Sequence, residues 1–543
     1  MAERCFTGQP ASPGLAIGPL LRLEERQTVK RRQTGTPEEE RSALDQALAK
    51  AMADLEALGA VASGDGADIL AFQIEMLADP ALIEDVLPLI TGGEGADAAW
   101  RTGLDQQIAS YQAADDDFFR ARASDLEDLK DRVQRALRGA ELVLPDLPAG
   151  SVLLAEDLTP SHFLALTSKG LGGIALAKGS RNSHVAILAR GRGLPMVIAL
   201  DPAAAGGADK DGEVILDGEA GCLLLAPTTA TLKHYRERLA SADEAAAAAA
   251  AIRTQPAMTA DGSRIEVLVN VDDPAAIDDE TLEAADGVGL LRTEFLLIGR
   301  DHLPDEEEHF RFYADLQRRL GGKPLIIRTL DIGGDKPHAA LDLPKETNPF
   351  LGLRGIRLCL ARPELFVPQI RALLRVAANG PLQVMLPMVS VQSEIDQTRA
   401  LMAESLRALE STGIAAAMPP LGAMIETPAA ALTADRLDAA FFSIGSNDLI
   451  QYVMAAARDG EARVASLLDP GHLAVERLIR NVVDAGQARD VEVSLCGDMA
   501  SEPGWLPLLL RTGLRKISVA PAALDRVKLA LRDIDLGGQA GQP

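Results

Sequence analysis

Aromatic side chains are scarce in this chain. They make up 3% of its 543 residues, with two tryptophans and four tyrosines, so alanine and leucine must fill most of the interior. Cysteine is as sparse. Cys5, Cys222, Cys359 and Cys496 lie far apart and form neither a CxxC pair nor a disulfide ladder, which points to a reducing cytoplasm. Basic residues are outnumbered, 54 Lys and Arg against 79 Asp and Glu, for a formal charge of −25. Phosphate backbones need basic surfaces, so nucleic acid is excluded as a partner, whereas a basic protein could be drawn in by long-range steering. No run of about 18 apolar residues is free of polar interruption, so no membrane span is expected. The N-terminal MAERCFTGQPASPG lacks the apolar core of a signal peptide. Hydrophobic residues still reach 47%, and the length allows about three domains with sizeable cores.

Three compositional regimes follow one another. Residues 1–25 carry short apolar runs around the turn-rich QPASPGLAIG. From about 35 to 140 alanine, leucine and charge alternate with helical spacing. Thr36, Pro37 and Glu39 supply a start signal there, Gly92 and Gly93 break the pattern, and Gly139 ends it. Residues 150–225 return to strand-like runs (VLLAED, GIALA, PMVIAL, EVILDG) separated by glycines. The pattern predicts a multidomain α/β protein: an α/β domain over 1–34 and 144–227, interrupted by a helical subdomain over 35–143. A helical linker over 228–259, with the alanine run Ala245–Ala251, reads as solvated and free of chemistry.

The remaining residues, 260–543, suit a (β/α)8 barrel. Eight strand candidates occur in order: Arg264–Val271, Gly287–Leu291, Pro324–Leu330, Gln383–Val389, Leu421–Ile425, Ala440–Ile444, Val491–Leu495 and Lys516–Val519. An open doubly wound sheet would give a similar alternation. Several candidates end in polar groups, where barrel enzymes keep their chemistry. Glu426 and Asp448 follow adjacent strands, and two carboxylates completed by substrate and water are a magnesium-binding arrangement; alone, each reads more readily as a helix-start acid or an N-cap. Arg292, Arg328 and Arg354, with Lys336 and Arg458, converge on the same face. Arginine's planar fork matches phosphate and carboxylate, which implies a small polyanion. Asp331, Gly333 and Gly334 fit a tight loop beside such a ligand. Cys496 is either a buried small hydrophobe or a proton donor or nucleophile.

One further motif stands apart. In GLGGIALAKGSRNSHVAILARGRGLPMVIAL, at 170–200, His184 sits where a Gly- and Ser-rich loop gives way to a helical pattern. A helix start offers free N–H groups to a phosphate, so this histidine could carry a phosphoryl group. Locally, a structural histidine beside a turn explains the same residues.

The blocks ASPGLAIG, GVGLLRTEFLLIGRDHLPDEEEHF, IIRTLDIGGDK, NPFLGLRGIRL, MIETPAAA, FFSIGSNDLIQY and SLCGDMA, in that order, resemble enzyme I of the bacterial phosphoenolpyruvate-dependent phosphotransferase system. The resemblance runs over nearly the whole chain. It implies that the barrel binds phosphoenolpyruvate and Mg2+ (or Mn2+), with Glu426 and Asp448 on the metal. Arg292, Arg328, Lys336, Asn447 and Arg458 would hold substrate phosphate and carboxylate, with Arg354 nearby. His184 would take the phosphoryl group and pass it to a histidine of HPr or an HPr-like carrier, and Cys496 would protonate the enolate to pyruvate. One histidine serving both partners implies a domain swing about the linker. The helical subdomain would dock the carrier through Met76, Leu77, Phe119 and Arg122, and the family implies a homodimer.

Three positions depart from the family pattern. Asn182 stands where threonine is common, Ala457 where aspartate precedes the last substrate arginine, and Asp498 where glutamate follows the cysteine. Together they suggest a divergent paralogue, slower or paired with a dedicated carrier. The chain opens on the ASPG block, which favours the sugar-uptake branch, or a specialised system feeding another kinase, over a nitrogen branch bearing a sensory domain. Two other readings compete. A pyruvate-phosphate dikinase or phosphoenolpyruvate synthase would need an ATP-binding domain for which only the helical insert is spare, and no P-loop is present. A regulatory phosphoenolpyruvate sensor with little turnover would not need His184, Glu426, Asp448 and Cys496 together.

Overall fold

The computed structural model describes residues 3–22, 34–59, 65–112, 117–139, 147–179, 183–201, 212–297, 302–333, 348–457, 464 and 467–537. The chain divides into two units, Met1–Ser241 and Ala242–Pro543. In the first unit eight strands form one mixed sheet: β1 (Arg4–Thr7), β2 (Gln9–Ser12), β3 (Leu15–Arg22), β4 (Val152–Ala155), β5 (Gly173–Leu176), β6 (Met196–Ile198), β7 (Glu213–Asp217) and β8 (Cys222–Leu225). Their spatial order is β1-β8-β7-β3-β4-β5-β6-β2, with β3 to β6 parallel and the outer pairings antiparallel. Successive side chains point to opposite faces. Leu153, Ile174 and Ile198 therefore join one core, while Val152, Leu154, Ala175 and Val197 join another on the far face.

Among the described residues, five α-helices lie between β3 and β4: Pro37–Gly59, Asp65–Ala78, Val86–Thr91, Ala96–Gln112 and Asp117–Leu137. The first starts as the sequence predicts. Glu39 Oε2 accepts the Thr36 N–H at 2.8 Å, and Thr36 Oγ1 accepts the Glu39 N–H at 3.3 Å, a reciprocal capping box. The buried Glu40 carboxylate accepts the Gly35 and Ala96 N–H groups at 2.8 and 2.7 Å, tying two helix starts together. The apolar faces of these helices share one core with the sheet, including Leu44, Trp100, Leu129, Leu153 and Phe163.

The helix Thr229–Ile252 crosses the division between the units. Its Arg238 Nη1 donates to the buried Asp217 Oδ2 at 2.8 Å. Most of its other residues are exposed, as an alanine-rich connecting helix allows.

The second unit is a closed parallel barrel. Its strands are β10 (Arg264–Val271), β11 (Val288–Arg292), β12 (Leu325–Arg328), β13 (Gln383–Leu386), β14 (Leu421–Ile425), β15 (Phe441–Gly445), β16 (Glu492–Cys496) and β17 (Lys516–Val519), and the short β9 (Ala257–Met258) adds antiparallel to β10. Each strand pairs with the next, and β10 closes the ring by pairing with both β11 and β17. The eight sequence candidates are the eight barrel strands, so the open-sheet alternative is excluded. Their ends shift for local reasons. β13 stops at Leu386 because Pro387 has no N–H to give the ladder. Alternation again sorts the side chains. Leu290, Ile326, Met385, Met424, Phe441 and Cys496 form a cluster of their own, while neighbours such as Leu291, Ile327 and Val384 belong to the large core that also takes in the outer helices.

Candidate active site at the barrel mouth

The C-terminal strand ends surround a cavity of about 280 Å³. Arg292 is the last residue of β11, Arg328 the last of β12 and Cys496 the last of β16, while Glu426 follows β14 directly. Asn447 and Asp448 lie in the first turn of the helix Ser446–Met454, which starts as β15 ends. Arg292, Glu294, Arg328, Asp331, Arg354, Glu426, Asn447, Asp448 and Cys496 all line the cavity.

Its charges are interlocked. Arg354 Nε and Nη2 each donate to Asp331 at 3.0 Å, and its Nη1 and Nη2 reach Asp448 at 3.1 and 3.0 Å. Its guanidinium thus clamps two carboxylates. Arg328 pairs with Glu294, and its Nη1 lies 3.0 Å from Asp331 Oδ2. Burial works against the charge on both arginines, but the surrounding carboxylates outweigh it and push both groups upward. The more exposed Arg292 contacts Asp272 at 3.2 Å.

Glu426 is held differently. Its Oε1 accepts the Met388 N–H at 2.6 Å, and Met388 takes a left-handed φ of 58° to present that group. Burial first, then the charges of Asp448 and Asp331, push this carboxyl up to about 8. Beside burial, the charge balance contributes: four buried acids (Glu294, Asp331, Glu426 and Asp448) face two buried arginines (Arg328 and Arg354). A divalent cation would offset that excess, and the oxygen donors of Glu426 and Asp448 suit a hard ion. Among the described residues no three His, Cys, Asp or Glu side chains converge as a ready-made metal site, so substrate and water would have to complete the shell.

Cys496 is buried, and burial pushes its thiol up, so at neutral pH it carries its proton. The Ser443 hydroxyl donates to its sulfur at 3.4 Å. The following Gly497 has φ +126°, and a Cβ there would lie 2.2 Å from Ser446 Oγ, so only glycine fits. Asn447 Oδ1 accepts the Asp498 N–H at 3.0 Å, linking the β15 and β16 loops.

Arg292, Arg328, Arg354, Glu426, Asn447, Asp448 and Cys496 are thus brought together, while Lys336, Arg458 and Asn182 lie outside the described residues. His184 is the first residue of the helix His184–Gly191. Ser183 is its N-cap, with Oγ accepting the Ala186 N–H at 3.3 Å. On the proposed docking face, Leu77 packs in the core of the helical subdomain and Met76 is partly buried against it. A buried leucine in the free chain serves packing, which leaves Met76 as the accessible member of that pair. Phe119 and Arg122 fall in the helix Asp117–Leu137, with side chains outside the described set. Sequence reasoning missed Glu294, although it stands two residues after Arg292 in RTEF, and it gave Asp331 only a loop role.

Comparison with known proteins agrees with this architecture. The model of the PEP-utilising enzyme PEP-binding domain matches residues 246–536, that of the N-terminal domain residues 7–122, and that of the mobile domain residues 147–221. The chain therefore belongs to the PEP-utilising enzymes. A phosphoenolpyruvate-protein phosphotransferase of Geobacillus stearothermophilus is 38% identical over 98% of this chain and 93% of its own length. That of Bacillus subtilis (strain 168) is 37% identical over 95% and 92%. One from Haloferax volcanii is 40% identical over 85% and 81%. Within its class the chain is a member of the phosphoenolpyruvate-protein phosphotransferase family, and so a transferase.

Proposed function

We propose that this chain transfers the phosphoryl group of phosphoenolpyruvate to His184 and then to a histidine of HPr or an HPr-like carrier, releasing pyruvate. The observation that carries the reading is the single cavity where Arg292, Arg328, Asn447, Glu426, Asp448 and Cys496 meet. Arg292 and Arg328, with Lys336 and Arg458, hold the substrate's phosphate and carboxylate. Arg354 keeps Asp331 and Asp448 in place. Glu426 and Asp448 would hold Mg2+, or Mn2+, since both ions accept oxygen ligands. When bound, the ion supplies positive charge against the transferring phosphoryl oxygens.

Neutral His184 attacks phosphorus, a P–N bond forms and the P–O bond to the enolate breaks. The protonated Cys496 thiol gives its proton to the enolate carbon, yielding pyruvate and a thiolate that water reprotonates. The position of His184 at a helix start supports it as carrier, because helix starts favour a phosphoryl group. The helical segment between β3 and β4 is the proposed carrier-docking element, with Met76, Phe119 and Arg122 as candidates. A cytoplasmic homodimer completes the reading; no helix among the described residues is long and apolar enough to cross a membrane.

The test is incubation with 32P-labelled phosphoenolpyruvate and Mg2+, without ATP, beside His184→Ala. Acid-labile, base-stable label on the wild type alone is expected, and it should move to an added HPr-type carrier. Label retained by His184→Ala places the acceptor elsewhere. No label on folded wild type removes the phosphotransfer reading and favours a phosphoenolpyruvate sensor.

A further inference from the structure

A buried polar chain runs beneath the mouth, and the mechanism above does not use it. Gln369 lies on the helix Pro363–Ala377, fully buried among apolar neighbours such as Phe366, Ile370 and Leu373. Its Oε1 accepts the Leu330 N–H at 3.1 Å. Its Nε2 donates to Thr293 Oγ1 at 3.1 Å and to Tyr313 Oη at 3.0 Å. The Thr293 hydroxyl in turn donates to the Arg328 carbonyl at 2.9 Å. At the far end the Tyr313 hydroxyl meets His309 Nδ1 at 2.8 Å. Thr293, Tyr313 and His309 are buried too.

The location of these bonds gives them their meaning. The β12–β13 ladder ends with the Thr329 N–H donating to the Met385 carbonyl. Beyond that point the sheet no longer fixes the chain. Gln369 takes over at Leu330, one residue before Asp331, and Thr293 links the end of β11 to the carbonyl of Arg328. The two segments so joined carry Arg292 and Glu294 on one side and Arg328 and Asp331 on the other. Hydrogen bonds are directional, so a buried amide with both ends satisfied sets a spacing that apolar packing leaves loose.

We propose that Gln369, acting through Thr293, is a positioning residue for phosphoenolpyruvate binding: Arg292 and Arg328 are ladder partners at the ends of β11 and β12, and Gln369 ties together the segments just beyond them, Thr293–Glu294 and Leu330–Asp331, against which those arginines are set. This rests on the functional reading above, in which those two arginines hold the substrate. Gln369 touches no substrate itself. Misplacing binding groups by a fraction of an ångström weakens their joint grip, and the loss appears in KM where it is shared by bound substrate and transition state.

The test compares the full-length wild type with Gln369→Met, Thr293→Val, Thr293→Ser and Tyr313→Phe. It reads KM for phosphoenolpyruvate, kcat, direct titration with phosphoenolpyruvate and Mg2+, and thermal midpoint. Gln369→Met and Thr293→Val are expected to raise KM and the titrated Kd about tenfold, with kcat within about threefold. Thr293→Ser keeps the hydroxyl and should restore wild-type KM. Tyr313→Phe removes only the outer bond and should lower the midpoint while KM stays within about twofold. If Gln369→Met does not fold, the Thr293 pair decides the matter alone. Folded Gln369→Met or Thr293→Val with wild-type KM and a lowered midpoint makes the chain of bonds purely structural and overturns the inference. A wild type that binds no phosphoenolpyruvate overturns the functional reading, and this inference with it.

Discussion

Asp331→Asn isolates the charge clamp at the barrel mouth. The carboxylate is 1% exposed and receives three charge-assisted contacts at 3.0 Å, two from Arg354 and one from Arg328. Asparagine keeps the shape but turns one acceptor into an NH2 group facing guanidinium donors. As charged partners Arg354 then keeps Asp448, and Arg328 keeps Glu294. Removing one partner of a buried ion pair costs about 3–5 kcal/mol when the charge left behind has no other partner; here each arginine retains an acid, so the lower end, about 3 kcal/mol, is expected. A unit of about 300 residues unfolds with an entropy of roughly 0.6 kcal/mol per kelvin, so its midpoint should fall by about 5 °C.

Calorimetry of the whole chain reads that shift directly. Arg354→Met should cost a similar amount. The double variant with Asp331→Leu should cost less than the two single losses together, since neither member of that pair is left facing a missing partner; Asp448 and Arg328 each still lose one contact. Phosphoenolpyruvate binding provides the second assay, where a weakening of about tenfold is expected as Arg328 loses one of its two acidic anchors. A midpoint within about 2 °C of wild type, together with unchanged binding, would refute the reasoning, because the clamp would then hold nothing that the strand ends do not already hold.

Three further substitutions probe other parts of the molecule. Gly445→Ala places a Cβ 2.7 Å from Glu426 Oε2, so Glu426 must move; Mg2+ affinity, measured by titration, should fall about tenfold or more in a folded protein, and unchanged affinity would remove Glu426 from the metal. Cys496→Ala should slow pyruvate formation by about 10²-fold or more while circular dichroism stays that of the wild type, and unchanged turnover would make the cysteine a packing residue. Asp217 tests acid stability. Burial alone would raise its pKa, but hydrogen bonds from the Ala220 N–H and from Arg238 outweigh it and hold the carboxyl below its ordinary 3.8. Its stabilisation is therefore complete above that value and is lost as pH falls through the lower, folded one. Between about pH 5 and pH 2.5 the wild-type midpoint should fall more steeply than that of Asp217→Asn, and parallel curves would show that the Arg238 contact does not hold the helix Thr229–Ile252 to the sheet.

The legibility of this chain follows the range of the physics behind each feature. Strand candidates Leu421–Ile425 and Lys516–Val519 match the observed strands residue for residue because apolar runs bounded by polar residues are local signals. The Thr36–Glu39 start was equally plain, since both partners lie within one helical turn. Site residues at strand ends were legible for the same reason: a barrel gathers its C-terminal ends, so Arg292, Glu426 and Cys496 could be placed at one mouth without any knowledge of pairing distances. What stayed hidden was pairing across long separations. Glu294 pairs with Arg328 across 34 residues, and Arg354 holds Asp448 across 94, so nothing local marks either bond. Gln369 is the extreme case. It is a lone polar residue on an otherwise apolar helix face, and its partners Thr293 and Leu330 become neighbours only once β11 and β12 have paired. A buried amide in such a stripe is itself a clue: leaving it unsatisfied would be costly, so partners had to exist, but only the fold could name them.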